Sequence, residues 1–73
     1  MSVQLANMIA RLAVERRFVH KEERYGQGAM NALHSYSPEI YSKISGTQAD
    51  CFYMDDLVMQ FYMWLETYNE DAM

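Results

Sequence analysis

Cysteine, proline and glycine are all scarce in this chain: one, one and three in 73 residues. The lone Cys51 has no internal disulfide partner. The chain therefore reads as made for a reducing compartment, a cytoplasm, and must hold together by packing alone. So little Gly and Pro leaves few tight turns, which argues against a sandwich of short strands and for helices. No apolar run approaches the roughly 18 residues of a membrane span. The N-terminus also lacks the pattern of a secretion signal, because its first charge, Arg11, follows the apolar residues instead of preceding them. Cations are few as well, six against ten acids, for a net charge of −4. A chain of that sign is repelled by phosphate backbones, so nucleic-acid binding is disfavoured as a global property.

What is present is apolar bulk. Hydrophobic residues make up 51% of the chain and aromatics 14%, too much for disorder. The length gives a single domain, residues 1–73, of a size that buries only roughly 60% of its unfolded surface. The fold expected is all-α: a small compact bundle of about four helices, one of them short.

The stretch Asp55–Tyr68 organises the rest. Leu57, Val58, Phe61, Trp64, Leu65 and Tyr68 recur at spacings of three and four, one apolar helix face. Met59, Tyr62 and Met63 spread apolar surface beyond it. A helix apolar most of the way round is either buried on several sides or keeps one side for a partner. Met and Tyr suit an adaptable interface, and Asp55, Asp56 and Glu66 set acidic charge around it. Trp64 reads as core, and Tyr62 and Met63 as surface. The patch predicts a homodimer using the same surface twice, or a monomer that offers it to another protein.

Before this helix, residues 3–18 read as a first helix, with Leu5, Ile9, Leu12 and Val19 on its inner stripe, Ala6, Ala13 and Met8 beside it, and Ser2 as cap. Arg11, Arg16 and Arg17 fall on or near the opposite side. A break is expected near 19–22. A second helix, Glu22–Ser35, would bury Tyr25, Ala29, Met30 and Leu33, with Gly26 and Gly28 allowing another helix to approach closely. Arg24, Gln27 and Asn31 form a polar stripe on it. Its side chains would bond the backbone of the 46–55 loop and Asp50, or bind a peptide or ligand. Ser37-Pro38-Glu39 opens a short third helix, Pro38–Ile44, with Ser37 as N-cap. Its inner face is Ile40, Tyr41 and Ile44, and Gly46 ends it in the left-handed region. Phe52 plugs the core from the loop that follows, and Glu70–Met73 fray.

Several residues carry a resemblance: Arg24-Tyr25-Gly26-Gln27, Asn31-Ala32-Leu33, Pro38, Tyr41, Ile44, Gly46-Thr47, Asp50, Phe52-Tyr53, Asp55, Phe61 and Trp64-Leu65. Over residues 23–66 the chain resembles small proteins of phages and prophages. Members often have Pro where Cys51 stands, which shapes the loop differently. The resemblance implies a mobile-element origin and no catalytic residues.

Enzyme chemistry finds little purchase. Cys51 with His20 or His34 would need a base within hydrogen-bond reach and an orienting third group, and a lone Cys in so apolar a chain reads as a small buried hydrophobe. His20, His34 and Cys51 show none of the short-range pairing of structural zinc sites. Gly26-Gln27-Gly28 has no strand before it and no Lys after it, so it is no phosphate loop. No cofactor and no metal is expected. The function expected is a phage-type accessory protein that binds and modulates a host protein, as an inhibitor of an enzyme or defence factor. The alternatives are a helix-turn-helix-like nucleic-acid regulator using Arg11, Arg16 and Arg17, and a structural or assembly component of a phage particle.

Overall fold

In the computed structural model, which describes residues 3–68, four α-helices follow one another: α1 (Val3–Val19), α2 (Tyr25–Tyr36), α3 (Pro38–Ile44) and α4 (Val58–Thr67). A single 3-10 turn, Asp55–Leu57, leads into α4, and no strand occurs among the described residues. This is the expected all-α bundle with one short helix. Ser2, expected to cap α1, and Glu70–Met73, expected to fray, lie outside the described residues. No helix among them is long and apolar enough to cross a membrane.

α1 packs against both α2 and α4, and α2 carries α3. Leu5, Ala6, Ile9 and Ala13 of α1 share one core with Ala29, Met30, Ala32 and Leu33 of α2, Phe61 and Leu65 of α4, and Ile40 and Ile44, which α3 brings in against α2. Phe61, Leu5, Ile9, Met30, Leu33, Ile44 and Leu65 are essentially sealed from water. Each such side chain contributes about 1.5–3 kcal/mol by leaving solvent.

The third helix is set by its local sequence. Ser37 is extended and its hydroxyl accepts the Ile40 N–H at 3.3 Å, Pro38 takes the first helical position, and Glu39 lies in the first turn. Gly46, at φ 81°, follows the helix in the left-handed region, where a side chain would be strained.

Two expectations about burial fail for one reason: periodicity gives a face but not how far the neighbouring helix reaches along it. Val19, placed on the inner stripe of α1, is 75% exposed, as is Phe18 beside it. Tyr25, placed on the inner stripe of α2, is also exposed and lies under the Arg17 guanidinium, 3.8 Å from its ring centre.

The second helix begins three residues later than the charge pattern suggested, because Glu23 is held in the turn before it. Its carboxylate accepts from Arg16 Nε at 2.8 Å, from Arg16 Nη2 at 3.1 Å and from Asn31 Nδ2 at 2.9 Å. The Arg16 hydrogen bond, together with that from Asn31 and the Arg16 charge, holds the Glu23 carboxyl below its ordinary range against the opposing effect of burial.

Of the two glycines of α2, Gly26 admits the close approach of a loop and not of a helix. A Cβ at Gly26 would overlap the Cys51 carbonyl oxygen and lie 2.9 Å from its carbon. The Gly26 N–H donates to Asp55 Oδ1 at 3.0 Å, and the Cys51 thiol donates back to the Gly26 carbonyl at 3.5 Å. The residue before α2, Arg24, makes no side-chain capping bond. Asp55, twenty-nine residues on, supplies that carboxylate acceptor instead.

Candidate functional site

The bundle buries one side of α4 and leaves the other open. Phe61 and Leu65 go fully into the core, and Leu57, Val58, Tyr62, Trp64 and Tyr68 pack against it while keeping some exposure. On the outer side stand Met59, 72% exposed, and Met63, 57% exposed. Asp56 precedes them and Glu66 follows, both exposed. Met59, Met63 and Glu66 are spaced four and three residues apart, which places them along one edge of α4, and Asp56 lies in the 3-10 turn just before it.

Beside this edge lies a shallow open groove of about 530 Å³. Gln60, Met63, Trp64 and Thr67 line it from α4, and Thr47, Gln48 and Ala49 from the loop opposite. The loop is held in shape by Asp50, whose carboxylate accepts the Gly46 N–H at 2.8 Å and the Phe52 N–H at 3.0 Å. Trp64 stacks on Tyr68 with ring centres 5.2 Å apart, and the Tyr68 hydroxyl receives a hydrogen bond from Lys43 Nζ at 3.1 Å. The groove lining is mostly apolar, with side-chain amides from Gln48 and Gln60 and hydroxyls from Thr47 and Thr67.

The residues singled out from the sequence separate in space. Met59, Met63 and Glu66 share the outer edge of α4, and Asp56 is exposed in the turn that leads into it. Tyr62 does not join them: it packs edge-on against Phe61 with ring centres 5.0 Å apart and is partly buried, its phenol pushed up to about 12 by desolvation, with the nearby Cys51 adding to the shift. Asp55 is occupied inside the fold, accepting from Gly26 and lying 3.6 Å from Arg24 Nε. Trp64, read as core, is only partly buried and lines the groove.

Nor is the polar stripe of α2 a unit. Arg24 turns to Asp55 and Asn31 to Glu23, and Asp50 satisfies its own loop. Only Arg24 reaches the 46–55 segment, and there it meets a side chain and not the backbone. The periodic placing of Arg24 was misleading because it precedes α2 in extended geometry. The groove itself was missed from the sequence, since residues 47–49 reach α4 only through the turn at Gly46.

Cys51 is fully buried, and burial pushes its thiol up to about 12, with Asp50 and Asp55 adding to the shift. That is the reverse of an activated nucleophile. A raised folded-state value means the folded chain resists ionisation more than the unfolded one. The stability this represents is complete below the thiol's ordinary value of 9.0 and is lost as pH rises toward about 12. Tyr62 acts in the same direction, from its ordinary value of 10.0. Denaturant midpoints should therefore fall between pH 9 and 11, and a Cys51→Ala, Tyr62→Phe chain should lose most of that slope. An unchanged slope would mean other groups titrate. No cluster of three or more His, Cys, Asp or Glu side chains suited to a metal occurs among the described residues.

The chain matches no protein-family model. No curated protein and no solved structure is significantly similar to it either. The α4 edge and its groove therefore have to be read from their own chemistry.

Proposed function

We propose that the chain is a phage-type accessory protein that binds a host protein in the host cytoplasm and modulates it, most simply by occluding a functional surface. The observation that carries the reading is the exposed Met59–Met63 pair beside the Trp64 groove, with Asp56 and Glu66 at its two ends. Methionine conforms to irregular apolar partners, and an acidic border favours a partner of opposite charge and raises its association rate. The ligand this surface suits is a basic segment with one apolar face. Supporting it further, Cys51 is buried and burial pushes its thiol up, the reverse of what activates a cysteine nucleophile. Arg16 is tied to Glu23, and Arg17 lies against Tyr25, which leaves the first helix poorly arranged to grip phosphates.

The test is capture from a bacterial host lysate with the native chain and with a Met59→Glu, Met63→Glu chain side by side. Both sites are solvent-exposed, so helix content and unfolding midpoint should change little, within about 0.5 kcal/mol. A specific partner should be retained by the native chain, released by salt, and bound at least about 30-fold more weakly by the variant. Recovery of the same proteins by both chains would overturn the assignment of this face.

A further inference from the structure

A second stripe on the molecule mirrors the α4 edge in charge. On the outer side of α1, Val14 is 56% exposed and Phe18 75% exposed. Arg11 precedes them and Lys21 follows, just past the helix end, and both are exposed. The order is basic, apolar, apolar, basic, at spacings of three, four and three residues. The α4 edge, together with the turn before it, is acidic, apolar, apolar, acidic at the same sequence spacings: Asp56, just ahead of the helix, then Met59, Met63 and Glu66.

We infer that the α4 edge of one copy docks on the α1 stripe of a second copy, in a reversible head-to-tail association. The inference rests on the α4 edge being a docking surface, as proposed above, and adds a competitor for it. Charge decides between this and the symmetric dimer expected from the sequence. Two α4 edges facing each other antiparallel would set Asp56 against Glu66, and facing parallel would set each acid against itself. Both arrangements repel. Facing α1, the same acids meet Arg11 and Lys21 while Met59 and Met63 cover Val14 and Phe18. The residues around the basic stripe keep the same sign: residues 11–24 hold Arg11, Arg16, Arg17, Lys21 and Arg24 against Glu15, Glu22 and Glu23. The described part of the other half, residues 37–68, holds Lys43 against Glu39, Asp50, Asp55, Asp56 and Glu66. Because two different surfaces meet, the contact closes into a ring or dimer only if the rotation between copies permits, and otherwise extends into chains. Each copy so engaged hides the face it would offer a host protein, so self-association and partner binding exclude each other.

Reciprocal charge reversal tests this by sedimentation at low salt. The native chain should associate with increasing concentration, and added salt should reverse it. An Arg11→Glu, Lys21→Glu chain presents acid on both stripes, and an Asp56→Lys, Glu66→Lys chain presents base on both. Each alone should associate at least about tenfold more weakly than the native chain. Mixed together, each supplies the stripe the other lacks, and association should return. A native chain that stays monomeric, or reversed chains that associate as well as it does, or a mixture that stays apart, would each overturn the inference. The host-binding reading fails separately. The Arg11→Glu, Lys21→Glu chain leaves the α4 edge intact and should capture a host partner at least as well as the native chain, whatever its self-association.

Discussion

Replacing Gly26 with alanine should destabilise the fold by about 3 kcal/mol or more, an unusually large effect for adding one methyl group. In an ordinary helix the same change is stabilising by about 1 kcal/mol, because alanine is the better helix former. The sign reverses here because the added carbon would overlap the Cys51 carbonyl oxygen. That atom belongs to backbone, so no side-chain rotation relieves the conflict. The loop must lift away from α2, which also weakens the Gly26–Asp55 and Cys51–Gly26 hydrogen bonds. Gly28 is the control. The nearest atom to a Cβ there is the Glu23 carboxylate oxygen at 3.6 Å, ordinary contact. Gly28→Ala should therefore be neutral or stabilising in chemical denaturation. Equal midpoints for the two variants would refute the account of the loop contact.

Phe61→Ala should cost about 3–5 kcal/mol, the usual range for emptying a fully buried aromatic site. Phe61 lies at the meeting of α4 with the core and has no exposure. In so small a domain that loss is comparable to the whole stability, so the variant should be largely unfolded at 37 °C by circular dichroism. Trp64→Ala makes the informative comparison. The sequence places Trp64 in the core on the same face as Phe61, but Trp64 is partly exposed and lines a groove. It should cost less than Phe61→Ala, and its main effect should be on partner binding. The reverse order of stabilities would place Trp64 in the core.

The fold was legible where its determinants are close in sequence. Ser37, Pro38 and Glu39 are adjacent and each favours a helix start, so α3 emerges with its bounds intact. Phe61 and Leu65 lie one turn apart, and their period suffices to place them inside. What escaped the sequence depends on residues meeting from afar. Glu23 sits in a run of charges, and nothing local shows that Arg16, seven residues before it, and Asn31, eight residues after it, converge on its carboxylate. Asp55 looks like the start of its own helix, while its hydrogen bond goes to another. The outer edge of α4 was legible in Met59 and Met63, but Tyr62 was not separable from them. Its position lies at the margin of the helix face, where the reach of neighbouring elements decides burial.

The carboxylate that completes the first turn of α2 comes from the far half of the chain, so α2 is finished last at its beginning. During synthesis the α1–α2 hairpin emerges without Asp55, with the Gly26 amide open to water. Only when the segment after α3 has left the ribosome can that amide be closed off and the Cys51 loop settle on the glycine. A chain cut anywhere before residue 55 lacks the acceptor for the Gly26 amide and also the Phe61 and Leu65 that close the core over α1, so its first two helices are left without their seal.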